Sequence, residues 1–271
     1  MANSETGGVV AARLVLIMSA RRERQKRERG RRPAPGDNRS PSPALSGLQQ
    51  VLYDAGRAAE HIVTTFLSRA APAAELTEMT AQAHRLALHT IQQSPLAARH
   101  ACRPGCAFCC HTAVTVAPPE VFAIAHYLRD RLSADALGEL RARLDPNAEL
   151  AAALPRADYI ARLIPCALLT TDGNCRVHPV RPLACAGFLS TSQEKCAAEF
   201  TRAPNRDLVP TDKFGAAAAL CVAVGLRDGC RAAQRDGNSY ELHHALRRVL
   251  DTPDAPERWA RGENVFAGCL T

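Results

Sequence analysis

Residues 45–66, LSGLQQVLYDAGRAAEHIVTTF, indicate the fold class of the chain. Their apolar side chains recur at intervals of three and four residues, the spacing that places them on one face of an α-helix. We therefore expect a long amphipathic helix here. The apolar positions are Leu48, Val51, Leu52, Ala55, Ala59, Ile62, Val63 and Phe66.

Similar patterns continue along the chain and predict a mainly α protein. A proline at the first turn and Ser133 as an N-cap mark two of the helix starts. The predicted helices after the first cover about 72–93, 118–128, 133–144, 147–163, 192–202, 211–234, 239–251 and 255–262. Only residues 113–117 suggest a β-strand. We expect a single α-helical domain over residues 45–271, bracketing a cysteine-rich, irregular metal-binding region at about 98–200.

The positive charge of the chain is concentrated at its N-terminus. The 271 residues carry 34 Lys and Arg against 27 Asp and Glu, a net charge of +7. Most of this excess lies in residues 1–50. We expect residues 1–44 to form a disordered basic tail, because they cannot bury enough apolar surface to fold. This tail is a weak candidate for contact with nucleic acid or an acidic partner, whereas the near-neutral domain is not.

The sequence predicts no membrane partner and a cytoplasmic location. No apolar run reaches the roughly 18 to 20 residues that cross a bilayer. The apolar run at residues 9–18 has no positive charge before it and a basic block after it, the wrong order for an export signal. Thiols stay reduced in the cytoplasm, so the 11 cysteines of the chain indicate metal binding rather than disulfides.

Eight cysteines fall within residues 102–196, in two turn-rich blocks. The first block, residues 102–111, is CRPGCAFCCH, in which Pro104 and Gly105 supply a turn that lets thiolates converge. Thiolates favour zinc or an iron–sulfur cluster, each of which needs about four ligands, so one site or two are possible. The expected metal ligands are Cys102, Cys106, Cys109, Cys110, Cys166, Cys175, Cys185 and Cys196.

Other residues receive ordinary assignments. Cys221, Cys230 and Cys269 fall outside the two blocks and are expected to be plain thiols. Arginines beside the ligands in sequence could offset the negative charge of a thiolate site. These are Arg103, Arg176 and Arg181. Four histidines far from the cysteines in sequence are expected to be surface or satisfied helix residues: His84, His89, His243 and His244.

The cysteine spacing resembles that of the YkgJ-type cysteine-cluster family of zinc- or iron-chelating proteins. The signature CxxxCxxCC matches Cys102 to Cys110, and the second part matches Cys166, Cys175-Arg-Val-His178, the segment Arg-Pro-Leu-Ala-Cys185, and Cys196. His178 stands where the family usually has an aromatic residue, and Ala186 where it usually has an arginine. The resemblance covers about residues 98–200 and implies metal chelation by the eight cysteines.

Two function classes follow. The first is a metal-binding protein with a structural or sensing site, in which the metal would fix long loops that have little core of their own. The alternative is an enzyme linked to S-adenosylmethionine, because the resembled family includes a flagellin lysine methylase. In addition, the C-x3-C-x2-C spacing with Phe108 before Cys109 is similar to that of radical S-adenosylmethionine enzymes. Their usual fold is an α/β barrel, which the predicted helices do not match.

Overall fold

The computed structural model describes residues 46–69, 75–201 and 209–269. Ten α-helices lie in these ranges: α1 Gly47–Ser68, α2 Glu75–Gln92, α3 Pro118–Arg131, α4 Ala134–Ala153, α5 Arg156–Ala161, α6 Leu183–Ala186, α7 Gln193–Thr201, α8 Lys213–Ala232, α9 Leu242–Asp251 and α10 Ala255–Ala260. The same ranges hold strands β1 Thr115–Val116 and β2 Tyr240–Glu241, and short 3-10 helices at Ala97–Arg99, Phe108–His111 and His178–Val180. The predicted mainly α class is confirmed.

The chain divides into two compact units, residues 1–50 and 51–271. Of the first unit, the structure describes only residues 46–50, at the start of α1. The predicted disordered tail at 1–44 and the predicted helix start near Pro72 both lie outside the described residues. Among the helices of the described ranges, none is both long enough and apolar enough to cross a membrane.

A small antiparallel sheet joins two distant parts of the chain. Strand β1 lies within the predicted strand at 113–117 and pairs with β2, with Thr115 opposite Glu241 and Val116 opposite Tyr240. The prediction of a helix from 239 was wrong at its start, because α9 begins only at Leu242. Glu241 caps that helix, its side chain accepting a hydrogen bond from the His244 N–H at 2.8 Å.

Helix α4 corrects the prediction of two separate helices at 133–144 and 147–163. It continues through Pro146, and only the short helix α5 follows it. Proline removes one helical hydrogen bond and disfavours a helix interior. Here the buried residues Leu140, Leu144 and Ala148 recur at four-residue spacing on both sides of Pro146. Because α4 packs this stripe against α9, tertiary burial outweighs the local cost.

The core of the second unit is formed by helices packed around α2, α3, α8 and α9. Helix α2 contacts α3 and α8, and α9 contacts α3 and α4. An aromatic cluster closes one side: the rings of Phe122 and Trp259 lie 5.6 Å apart, and those of Tyr240 and Phe266 lie 4.7 Å apart. Helices α1 and α8 approach so closely that a Cβ at Gly225 would collide with the Gly56 carbonyl oxygen.

Candidate metal centre

The first cysteine block begins with the predicted turn. The Cys106 N–H donates to the Arg103 carbonyl at 3.0 Å, and Gly105 takes the left-handed φ of +79°. Proline followed by glycine at the two central positions is the pattern of a type II turn, in which the second position requires positive φ. The turn is followed by the 3-10 helix Phe108–His111, which carries Cys109 and Cys110 and contacts α7.

The second block is a tight loop followed by two helices. Leu169 and Cys175 form an isolated antiparallel bridge, so the chain between Cys166 and Cys175 folds back on itself. Cys185 lies on the short helix α6, and Cys196 lies on α7. The thiols of this block are therefore presented by three separate segments.

Helix α4 fixes the position of Cys166. The side-chain amide of Asn147 donates to the Pro165 carbonyl at 2.8 Å. The Arg143 guanidinium donates to the Ala167 carbonyl at 2.6 Å and to the Leu169 carbonyl at 3.1 Å. Both side chains come from the part of α4 around Pro146, where the sequence had predicted a break. The continuity of this helix is thus what holds the start of the second block.

A buried carboxyl group fixes the helix that carries Cys185. Glu120 is 3% exposed, and its two oxygens accept hydrogen bonds from the Ala117 N–H and the Leu183 N–H, each at 2.8 Å. The first of these donors precedes α3 and the second opens α6. Burial raises the pKa of Glu120, since the protein interior disfavours the charged carboxylate.

Hydrogen bonds join the two cysteine blocks directly. The Cys166 N–H donates to the Cys110 carbonyl at 2.8 Å, and the Gly105 N–H donates to the Asn174 side chain at 2.9 Å. At the other end, the Ser190 N–H donates to the Cys102 sulfur at 3.4 Å. Residues that lie 56 to 88 positions apart are thereby brought side by side.

Four thiols form what we call the first thiol group: Cys102, Cys106, Cys109 and Cys196. Burial raises the pKa of Cys106, and negative charge on the other three members raises it further. Burial also dominates the raised pKa of Cys196, to which Cys102 and Cys109 again contribute. Such mutual perturbation requires close approach, because charge interactions weaken with distance.

A second thiol group consists of Cys166, Cys175 and Cys185, again near Cys109. Burial raises the pKa of Cys185 well above its ordinary value, and the charges of Cys166, Cys109 and Cys175 add to the rise. The pKa of Cys175 is raised first by burial and then by Cys166 and Cys109. Cys109 therefore lies close to both groups.

Cys110 and Arg181 complete the surroundings of Cys109. A hydrogen bond with Cys110, followed by burial, raises the pKa of Cys109. The positive charge of Arg181 acts in the opposite direction on Cys109, Cys175 and Cys185. Of the arginines flagged from the sequence, Arg181 is the one placed among the thiols in this way.

The side chains as they stand do not form a finished coordination site. Within residues 46–69, 75–201 and 209–269, no group of three or more His, Cys, Asp or Glu side chains could together hold a metal ion. All eleven cysteines are free thiols. The structure thus brings the eight predicted cysteines to one region. Seven of them form the two thiol groups, and Cys110 is hydrogen-bonded to Cys109.

His243 lies beside this region and is a satisfied helix histidine, as expected from the sequence. It is 1% exposed, its Nδ1 lies 2.9 Å from a Glu241 carboxylate oxygen, and its Nε2 accepts a hydrogen bond from the Ala167 N–H at 3.3 Å. Burial disfavours the charged imidazole, but hydrogen bonds with Cys166 and Glu241 outweigh it and raise the pKa of His243.

A local signal for His243 does exist in the sequence. Glu241 and His243 are separated by one residue at a helix start, a spacing that lets the carboxylate and the imidazole pair locally. The partner Ala167 lies 76 positions away, so only the fold reveals the contact with the cysteine block.

The remaining cysteines lie elsewhere. Cys221 and Cys230 are buried in α8, where desolvation raises their pKa to about 11 and about 12, so both remain protonated at neutral pH. Cys269 is half-buried near the end of the described chain. Their placement agrees with the prediction of plain thiols.

The other histidines flagged from the sequence differ from one another. Burial, with a contribution from Arg181, lowers the pKa of His84 to about 4. His89 is an exposed residue of α2. Burial also lowers the pKa of His244, on α9.

No protein-family model, curated protein or solved structure matches this chain. The resemblance to the YkgJ-type cysteine-cluster family therefore stays a prediction from the spacing of the cysteines.

Proposed function

We propose that the protein chelates zinc or an iron–sulfur cluster through its eight clustered cysteines, in a reducing, cytoplasmic environment. The observation that carries the proposal is the meeting of the two cysteine blocks. They are joined by the hydrogen bond from the Cys166 N–H to the Cys110 carbonyl and by the one from the Ser190 N–H to the Cys102 sulfur. Ordinary buried thiols have no need of such convergence. Soft thiolates in this number suit zinc or iron–sulfur clusters.

The residues fit such a centre by the chemistry of their donors. A bound metal would require the thiols to lose their protons, and its positive charge would oppose the burial and the mutual repulsion that raise their pKa values. The two thiol groups meet at Cys109, which is hydrogen-bonded to Cys110. Adjacent side chains tend to serve different sites, so Cys110 would be the fourth thiol of the second group. Two four-coordinate sites are therefore the arrangement that we favour.

Metal analysis of the full-length protein tests the proposal. Protein purified without oxygen should contain stoichiometric zinc, or iron and sulfide with a visible chromophore. Cys106→Ser should lower the amount of metal bound at the first thiol group, and Cys175→Ser should lower the amount bound at the second. Cys221→Ser is the matched control, because that thiol is buried in α8, outside both groups. Unchanged metal content in both cluster variants would refute the ligand assignment.

The alternative, an enzyme linked to S-adenosylmethionine, gains nothing from the described residues. Their two strands have two residues each, whereas radical S-adenosylmethionine chemistry usually occupies an α/β barrel. Cleavage of S-adenosylmethionine by a reduced iron–sulfur form would be the result in its favour. Contact of the basic tail with nucleic acid concerns residues outside the described ranges, and salt-dependent binding lost on deletion of residues 1–44 would test it.

A further inference from the structure

We propose that the cavity between β1, α6 and α8 binds a small molecule that has a compact apolar body and one carboxylate group. This site goes beyond the proposed function, since no cysteine is among the described residues that line it. The cavity has a volume of about 220 Å³. An apolar cavity of about 150 Å³ is large enough to hold benzene, so an aromatic ring with one small substituent has a suitable size.

Small side chains on one face of α8 create the space. Ala216, Ala219 and Ala223 line the cavity at three- and four-residue spacing, which places them on the same face of the helix. Leu183 of α6 and Phe188 also line it. The body of a ligand would therefore contact mainly apolar atoms, as in most small-molecule sites.

The cavity reaches the protein surface beside Leu220. This side chain lines the cavity and is 37% exposed, one of three large apolar side chains that are exposed within the described ranges. Removing exposed apolar surface from water is favourable. A ligand that enters here would gain from covering Leu220 as well as from filling the cavity.

Arg227 provides a donor for an acidic head group. It lies four residues after Ala223, on the same face of α8, and lines the cavity together with Ser239. Its Nη1 donates to the Ser239 hydroxyl oxygen, but its buried Nε has no hydrogen-bond partner in the described part of the chain. A buried donor without an acceptor is unfavourable, and a carboxylate oxygen would form a charge-assisted hydrogen bond with it.

The charges at the cavity favour an anionic ligand. Burial lowers the pKa of Arg227, but a guanidinium group stays protonated in proteins. Glu120 lines the same cavity, and its two oxygens already accept the Ala117 and Leu183 N–H groups. Burial raises the pKa of Glu120, which favours its uncharged form relative to an exposed carboxyl group. Arg227 is therefore the counter-ion that a carboxylate would meet.

Benzoate is the probe that tests the proposal, and benzamide is its uncharged analogue of the same shape. In titrations of the full-length protein followed by ligand-detected NMR, we expect saturable binding of one benzoate per chain and weaker binding of benzamide. Arg227→Met should weaken benzoate binding by about 10- to 100-fold and leave benzamide binding nearly unchanged. Arg231→Met is the matched control, because Arg231 is exposed one turn further along α8 and does not line the cavity.

A second variant tests the location. Ala223→Leu fills the cavity and should abolish the binding of both probes, and circular dichroism checks that each variant keeps its helices. Benzoate affinity that is unchanged in Arg227→Met, in Ala223→Leu or in both would overturn the proposal.

The wild-type protein alone also decides the matter, without any variant. Absence of saturable benzoate binding, or equal affinity for benzoate and benzamide, overturns the carboxylate site. Either result leaves the metal proposal intact, because metal content is measured separately.

Discussion

Replacing Glu120 should destabilise the protein through the two backbone donors that its carboxyl group satisfies. In Glu120→Ala, the Ala117 and Leu183 N–H groups lose acceptors at 2.8 Å inside a site that is 3% exposed. Each unsatisfied buried donor costs about 1 to 3 kcal/mol. Part of this loss in stability is offset, because the substitution also removes a carboxyl group whose burial raises its pKa. We therefore expect a net loss of about 3 kcal/mol in the free energy of unfolding.

Two further variants isolate the cause of this loss. Glu120→Gln keeps one acceptor oxygen but turns an amide N–H toward the other donor, so it should lose about 1 to 2 kcal/mol. Glu139→Ala removes a carboxylate from an exposed position of α4 and should change stability by less than about 0.5 kcal/mol.

Urea unfolding, followed by the fluorescence of the buried Trp259, measures all three variants. Because Leu183 opens the helix that carries Cys185, alkylation of Cys185 should also be faster in Glu120→Ala than in the wild type. Wild-type stability of Glu120→Ala, or equal losses in the alanine and glutamine variants, would refute the hydrogen-bond account.

Three other predictions concern helix packing, pH and thiol exposure. Gly225→Ala should lower the free energy of unfolding in urea by about 1 to 3 kcal/mol, because overpacking against the α1 backbone exceeds the gain in helix propensity. Gly138→Ala, with open space around it, should raise that free energy by about 0.5 to 1 kcal/mol. Equal effects of the two substitutions would contradict this reasoning. Burial opposes ionisation of Asp212, but hydrogen bonds from the Gly215 N–H and other donors outweigh it and lower the pKa of Asp212. The ionised carboxylate therefore contributes its full stabilisation above the unfolded pKa of about 3.9, and this contribution is lost as the pH falls through the folded pKa. The stability deficit of Asp212→Asn should therefore be seen at pH 6 and shrink below about pH 4 in acid titrations; a deficit that grows there would exclude the mechanism. Iodoacetamide mapping by mass spectrometry of the metal-free protein should modify the exposed Cys102 before the buried Cys230, and the reverse order would contradict the described burial.

The sequence predicted the helices well where burial and local preference agree. The turn at Pro104 and Gly105 was also predictable, because a type II turn depends on those two residues alone. Helix α4 was divided wrongly, because the interruption by Pro146 is local and visible whereas the burial of Leu144 and Ala148 against α9 is not.

The sequence marked the thiols that the fold brings together but not what surrounds them. Spacing alone marks two cysteine blocks, since clustered thiols are unusual in any segment. The grouping around Cys109, the fixing of α6 by Glu120 and the contact between His243 and the second block all join residues distant in sequence. Local periodicity contains no record of such contacts, and His243 fits an amphipathic helix equally well.

Core burial differs between the two blocks and determines what a metal would do for each. The second block contributes Leu168, Val177 and Leu183 to the core, each at most 1% exposed, which contradicts the expectation that its loop has little core of its own. In the first block, residues 102–111, every residue is by contrast half-buried or exposed, and hydrogen bonds hold the segment. Metal bound to the first thiol group would therefore add proportionally more order there. Removing the metal with an added chelator should lower the unfolding midpoint by mass action rather than abolish the fold. It should also increase proteolysis near Cys106 more than near Cys175.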